Sequence, residues 1–512
     1  MTASSSSGAT DGIVELTADL SGSPYYSHDM APVPRAERRW GTKDLAVLWI
    51  SMSACVPTYM LASGMIEEGM NWWQAIVTIF LGNVIVLIPM VLNAHAGTKY
   101  GIPFPVYCRP SFGLLGANVP ALLRALVACG WFGIQTWIGG AAIYTIMLEF
   151  VPAWGKLAQI PVLGINPAEL GCFLFFWAIN IFVILKGIES IRLLLNVKAP
   201  LLITLGLVLL AWAYIRANGF GDMLSHPSAF AAGGAKAGQF WPFFFASLTA
   251  NVGFWATLSL NIPDFSRYAY SQRDQALGQA IGLPTTMALF SFIGIAVTSA
   301  TVVIYGKSIW DPIVVLSKFQ NPIVLFVAML SLCIATLATN IAANVVSPAN
   351  DFAHLAPRYV SFRLGGLITG ILGILIQPWK LVKDPTGYIF RWLIAYSALL
   401  GAVGGILVAD YFVIRRTRLD LPGMYKKDGP YWYTGGFNFN AIIALVLGVA
   451  PCVPGFLAAV SDSWKAYFTP AEPSAWSIVD LYPYAWFISF AISFVVYVLL
   501  MAVAGPKQSR VA

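Results

Sequence analysis

An all-α polytopic membrane protein is the fold class this sequence predicts, and three observations predict it. Apolar residues make up 58% of the chain and charged residues only 10%, with a mean hydropathy of +0.72; soluble domains carry about 25% charged residues. Apolar runs of about 20 residues, the length that spans hydrocarbon, recur along it. Two of those runs hold helix-weakening residues at mid-depth, which a bilayer tolerates only where the freed backbone groups line a cavity or meet protein. Broken helices of this kind are where carriers hold a substrate and its driving ion. The composition alone therefore points to a site inside the membrane.

Residues 1–34 are polar with a Ser-rich opening, show no cleavable signal peptide, and read as a disordered cytoplasmic tail. Arg35, Arg38, Arg39 and Lys43 precede the first span. Twelve spans follow, near 45–66, 73–95, 120–149, 168–186, 198–217, 240–263, 278–305, 322–346, 363–378, 387–412, 438–459 and 482–504. Residues 35–505 thus form one transmembrane domain, and 506–512 a second cytoplasmic tail. The first span reads Trp49-Ile-Ser-Met-Ser-Ala-Cys-Val-Pro-Thr-Tyr59, with small residues ahead of Pro57 at its middle. The sixth carries Asn251, Gly253 and Trp255, with its break at Gly253, and stops at Pro263. Alone, Pro57 reads equally well as a mere kink. Paired with Gly253 five spans later, it fits an inverted repeat: one half about 45–217, the other about 240–412, and two extra helices about 438–504. No residue-level identity links the halves, so this rests on position.

Basic residues sit in clusters between the runs. With the N-terminus in the cytoplasm, the inside connections hold Lys99 and Arg109, then Lys186, Arg192 and Lys198, then Arg267 and Arg273. Arg358, Arg363 and the run from Arg415 to Lys427 follow, and Lys507 and Arg510 put the C-terminus on the same side. The net charge of +7 is therefore a positive-inside pattern and not a nucleic-acid footprint. The Arg415-Arg-Thr-Arg418 run reads as a topology anchor or an anionic-lipid contact. The six cysteines have neither metal-ligand nor disulfide spacing, and all but Cys55 read as small buried hydrophobes.

Two spans carry recognition chemistry. In the third, Trp131 and Gln135 are four residues apart and share a helical face, so an indole could stack on a planar ligand whose edge the amide reads. A core-facing Trp beside a Gln that bonds another helix explains the pair as well. In the eighth, Ala335 and Thr339 share one face and Asn340 and Asn344 another. One face could offer oxygens to a small hard cation, the other an amide to a substrate; interhelical glue is the bland alternative. Glu67, Glu68, Glu149, Asp264 and Asp410 fall at span ends, His95 and His354 near cytoplasmic ends, and no carboxylate lies plainly at a span centre. Signatures of enzymes and of nucleotide-driven pumps are absent, leaving an ion gradient as the driver.

These strings together resemble the nucleobase:cation symporter-1 family. The resemblance runs over nearly all of the chain after residue 35, through Pro57-Thr-Tyr59, Asn71-Trp-Trp-Gln74, His95 to Gly101, Trp131-Phe-Gly-Ile-Gln135 and Asn261-Ile-Pro-Asp-Phe265. Thr339-Asn340, Ala342-Ala-Asn344 and Asp410-Tyr-Phe412 complete it. Within the family the chain is most similar to bacterial allantoin permeases, and similar to the hydantoin and uracil carriers. The resemblance implies a LeuT-like fold of ten spans in two inverted five-helix repeats, plus two. It implies a substrate between Trp131 and Trp255, read at its edges by Gln135 and Asn344. Two substrate-site positions depart from the family. Cys55 stands where an amide is expected, and Phe254 where the hydantoin carrier has a glycine that contributes its backbone. The implied sodium site comprises the carbonyls of Ser51, Ala54 and Ala335 and the hydroxyl of Thr339. Ala338 lacks the second hydroxyl, which weakens sodium binding and makes a proton the alternative coupling ion.

The expected function is a symporter importing a nucleobase or cyclic ureide of the allantoin, hydantoin or uracil type, with no cofactor beyond the sodium or proton. A channel-like facilitator or a substrate sensor of the same fold is the runner-up. The expected setting is the bacterial inner membrane, as a monomer with both termini cytoplasmic, whose partners are a heterocyclic substrate and lipid, not nucleic acid.

Overall fold

A backbone that enters hydrocarbon must satisfy its own N–H and C=O groups, and a helix does this within one segment. The computed structural model describes residues 12–186, 188–355, 359–468 and 476–504, and the apolar runs within them fold as helices. The first span is two pieces, α1 (Thr42–Ser53) and α2 (Val56–Glu67), bent by 58°. Then come α3 (Trp72–Tyr100), the short α4 (Phe104–Phe112), α5 (Asn118–Phe150), α6 (Pro167–Lys186), α7 (Ile188–Arg216) and α8 (Phe220–Leu224). The sixth span is α9 (Phe240–Phe254) and α10 (Ala256–Asn261), followed by the turn α11 (Pro263–Ser266). Next are α12 (Gln272–Tyr305), α13 (Pro312–Leu316), α14 (Pro322–Asn344), α15 (Val346–Leu355), α16 (Phe362–Leu375) and α17 (Pro378–Leu381). A π-helical stretch, Gly387–Leu393, leads into α18 (Ile394–Val408). The chain closes with α19 (Phe439–Val449), α20 (Val453–Val460), α21 (Asp462–Phe468) and α22 (Ala485–Ala504).

Among the described residues, eight helices are long and apolar enough to cross a membrane, and the bent α1–α2 pair makes a ninth. The remaining expected spans fall on α7, α9–α10 and α16. Helices from the two halves lie against each other: α1 and α2 along α12, α3 along α9, and α5 along α14. This interlocking builds the core in which the two breaks meet.

Both breaks fall beside the residues that the sequence suggested. The first is at Ala54 and Cys55, because Pro57 sits in the first turn of α2, where a missing N–H costs nothing. The second is at Trp255 (φ −103°, ψ 4°), while Gly253 itself is helical. Gly253 serves close packing instead: a Cβ there would lie 2.8 Å from Ser397 Cβ and 2.9 Å from the Leu393 carbonyl of the α18 segment.

The segment from residue 12 to 34, expected to be disordered, is packed as a strap; residues 1–11 and 505–512 lie outside the described residues. Val14 N–H donates to the Lys99 carbonyl at 2.8 Å and Val33 N–H to Gly101 at 2.9 Å. Arg38 explains the ordering. Its guanidinium is 2% exposed and donates to the carbonyls of Val33 (2.9 Å), Thr98 (2.9 Å), Val14 (3.3 Å) and Lys99 (3.4 Å). Thr98 and Lys99 end α3, where carbonyls lack helical partners and the dipole is negative. Burial pulls the Arg38 pKa down and Glu15 opposes the shift; the group stays charged. Gly101, with φ +71°, ends α3 in the left-handed region, and a Cβ there would collide with the Arg38 guanidinium.

Three other groups named above are paired within the protein. Arg415 pairs with Asp410 at 2.7 Å, and Tyr497 Oη donates to the same carboxylate at 2.7 Å. Arg109 Nη2, which can only donate, meets His354 Nε2 at 2.8 Å. His95 likewise packs against Tyr411, with Nδ1 2.9 Å from its hydroxyl.

Removing the strap's anchor is expected to cost about 2 kcal/mol, the range for hydrogen bonds to a charged group. Arg38→Ala should therefore lower the melting temperature of the detergent-purified protein. Unchanged melting would show that the strap contributes nothing to stability.

Candidate functional site

All six side chains expected to hold a substrate line one cavity of about 40 Å³, and Thr339 lines it with them. Trp131 and Gln135 reach it from one face of α5, as their spacing requires. Cys55 reaches it from the first break, Phe254 and Trp255 from the second, and Asn344 from the last turn of α14. All six are buried. Gln135 Oε1 and Trp255 Nε1 have no hydrogen-bond partner within the described protein. A buried orphan of this kind costs about 1–3 kcal/mol, so an acceptor and a donor beside one cavity indicate a polar ligand. Cys55 Sγ lies 3.2 Å from Thr58 Oγ1, inside the first turn of α2.

Phe254 alters the expected sandwich. Its ring lies 5.2 Å from Trp131 and 5.0 Å from Trp255, edge-on to both, while Trp255 meets Trp49 at 5.2 Å. A glycine at this position would leave that volume open. The space that remains suits water better than a heterocycle, so a flat ring can enter only if the phenyl group moves. The sequence showed that the glycine was missing, but not where the replacing ring would point.

A second cavity, of about 580 Å³, shares Leu258 and Ala343 with the first and extends to Asp29, Trp40 and Arg267. The two cavities thus adjoin, and the larger forms a passage toward the face that carries the N-terminal strap. Asp264 sits on this passage and accepts from the Phe104 N–H at 2.8 Å, from Ser347 Oγ at 3.0 Å and from Asn261 Nδ2 at 3.2 Å. It caps α4 across the helix interface. Beside it lies a buried ion pair that the sequence reading missed, Arg124 Nη1 to Asp351 Oδ2 at 3.1 Å. Nothing in local sequence marks Asp351, which follows a helix break at Val345.

Ser51 and Ala54 lie at the carbonyl end of α1, where the helix dipole favours a cation. Thr339 Oγ1 donates its proton to the Ala335 carbonyl at 2.8 Å, which leaves its lone pairs available. Ala338 is buried and brings no oxygen. The oxygens of these candidates are all neutral, a kind of donor that a hard cation takes. Among the described residues, no group of three or more His, Cys, Asp or Glu side chains could hold a metal.

The family described as "Permease for cytosine/purines, uracil, thiamine, allantoin" matches residues 32–503. The chain belongs to this family. It is 44% identical over 486 residues to the purine-uracil permease NCS1 of Arabidopsis thaliana, covering 94% of this chain and 79% of that one. It is 39% identical to the allantoin permease of Bacillus subtilis, covering 94% of each. Among solved structures it resembles Mhp1, a nucleobase-cation-symport-1 family transporter in a closed conformation with bromovinylhydantoin bound. There the TM-score is 0.72 at 25% identity, over 94% of this chain and 96% of that one. The fold is LeuT-like, and the protein is a multi-pass membrane transporter, not an enzyme.

Of the six cysteines, Cys55 alone lines the small cavity. Methyl methanethiosulfonate is expected to inactivate transport in the wild type and to leave Cys55→Ser active. Equal inactivation of both would place the sensitive thiol elsewhere.

Proposed function

We propose that this permease is a secondary active symporter that imports a nucleobase or related cyclic ureide of the allantoin, hydantoin or uracil type by alternating access. One observation carries the reading: Trp131, Gln135, Trp255 and Asn344 converge on a single cavity at two helix breaks. Uracil, hydantoin and allantoin each present a ring N–H beside a C=O, and a side-chain amide can accept from the first and donate to the second. Indole faces add about 1–3 kcal/mol per stacked ring, by analogy with base stacking. The names of the Arabidopsis and Bacillus relatives support the same ring classes.

The coupling ion is sodium or a proton. A sodium ion would take the carbonyls of Ser51, Ala54 and Ala335 with Thr339 Oγ1, and the missing hydroxyl at Ala338 favours the proton. Twelve spans in a five-plus-five inverted repeat, both termini in the cytoplasm of a bacterium and a monomeric unit complete the proposal. On that orientation the larger cavity opens to the cytoplasm.

Uptake of radiolabelled uracil and allantoin, in competition with each other and with hydantoin, tests the reading. Trp131→Ala and Asn344→Ala should lower uptake about 10- to 100-fold, the scale of one or two lost buried interactions, with membrane insertion intact. Normal uptake by both variants would refute the site, and uptake that never exceeds the outside concentration would favour a facilitator. For the ion, Thr339→Ala should abolish stimulation by sodium. Indifference to sodium with collapse under a protonophore would instead assign the proton.

A further inference from the structure

Asn340 does not face the small cavity, yet its hydrogen bonds fix what Asn344 can offer there. Two backbone carbonyls, which can only accept, set the order. The Phe176 carbonyl of α6 takes a proton from Asn180 Nδ2 at 2.8 Å, so Asn180 turns its Oδ1 the other way, toward α14. The Phe132 carbonyl of α5 accepts from Thr136 Oγ1 at 2.7 Å, which uses up the hydroxyl proton. Asn340 Nδ2 then faces three oxygens with only lone pairs to give: Phe132 O at 3.2 Å, Thr136 Oγ1 at 3.1 Å and Asn180 Oδ1 at 3.1 Å. A flipped Asn340 amide would set its own oxygen against all three. Asn340, Asn180 and Thr136 are each 0% exposed, so water cannot relieve that repulsion.

Asn340 Oδ1 must therefore point along α14, where it accepts from Asn344 Nδ2 at 3.1 Å. Asn344 Nδ2 spends one of its two N–H groups on that bond, and because the bond stops the amide from flipping, Asn344 keeps Oδ1 as a fixed acceptor beside the cavity it lines. Gln135 Oε1, also without a partner, is a second acceptor beside it.

We infer that Asn340 is a positioning residue that locks Asn344 as a hydrogen-bond acceptor, and that the site selects rings presenting an N–H donor at that edge. This rests on the substrate reading above and deepens it. A lactam or ureide N–H fits. The same ring methylated on that nitrogen meets an oxygen it cannot satisfy, and because the amide cannot flip, the mismatch is not relieved.

The test uses purified full-length protein and competition binding with uracil, allantoin and hydantoin, each beside its ring N-methyl derivatives. In the wild type, methylation of one ring nitrogen should weaken binding at least about 10-fold, the cost of one unmade buried hydrogen bond. Asn344→Ala should erase that penalty and so identify the nitrogen. Asn340→Ala should shrink the penalty to within about 3-fold, because a freed Asn344 can turn its Oδ1 away from the methyl group and donate to the neighbouring ring carbonyl instead; Asn340→Ser gives the same reading should the alanine variant fail to fold. Asn340→Asp in its neutral acid form can donate its O–H to one of the three oxygens, still accepts from Asn344 Nδ2 and should keep the penalty. An Asn340→Ala or Asn340→Ser protein that retains the full wild-type penalty overturns the inference alone. Loss of the penalty in Asn340→Asp as well would mark a merely structural role and overturn it too. A wild type that binds none of the three rings removes the substrate reading and the inference together.

Discussion

The architecture depends on one constraint: inside hydrocarbon, a helix can be interrupted only where something other than lipid receives the freed backbone groups. The turns at Ala54–Cys55 and Trp255 meet that condition by facing each other across protein. Each turn then has a use. The α1 end gathers carbonyl oxygens where a cation is favoured, and the Trp255 turn aims an indole across the helix axis. Interlocked halves hold these ends together, and of the ion candidates Thr339 lines the cavity with the substrate candidates.

Around that cavity the polar groups differ in how firmly they are held. Asn180, Thr136 and Asn340 are satisfied and sealed, whereas Gln135 and Trp255 keep an unmatched atom at the wall. A dry, saturated network gives a rigid backing, and the unmatched atoms supply the gain on binding. Toward the N-terminal face, Arg38, Arg415 and Asp264 likewise spend their capacity on carbonyls, carboxylates and caps.

Much of this was legible in the sequence. Each apolar run coincides with helix, because length and hydropathy suffice to specify a spanning segment. Trp131, Gln135 and Asn344 were readable because a polar or aromatic group at helical spacing in such a run needs a partner. The breaks were legible to within a few residues: Pro57 marks a helix start rather than the turn, and Gly253 marks a close approach to Ser397. Other strings that carry the family resemblance turn out to be architecture. Asn71 and Gln74 form a capping box, Gly101 closes α3, Asp264 caps α4, and Asp410 pairs with Arg415. What stayed hidden was long-range. A polar strap reads as disordered until Arg38 is seen to need its carbonyls, and Asp351 means nothing until Arg124 arrives from 227 positions away.

The phenyl ring of Phe254 has a thermodynamic consequence. A protein whose site is filled by its own side chain divides its molecules between a shut form and a receptive one, and a ligand draws on the receptive fraction alone. Measured affinity is then the intrinsic affinity scaled down by that occupancy. Shortening residue 254 would thus strengthen binding without adding a single new contact, by relieving the ligand of work the protein now sets it.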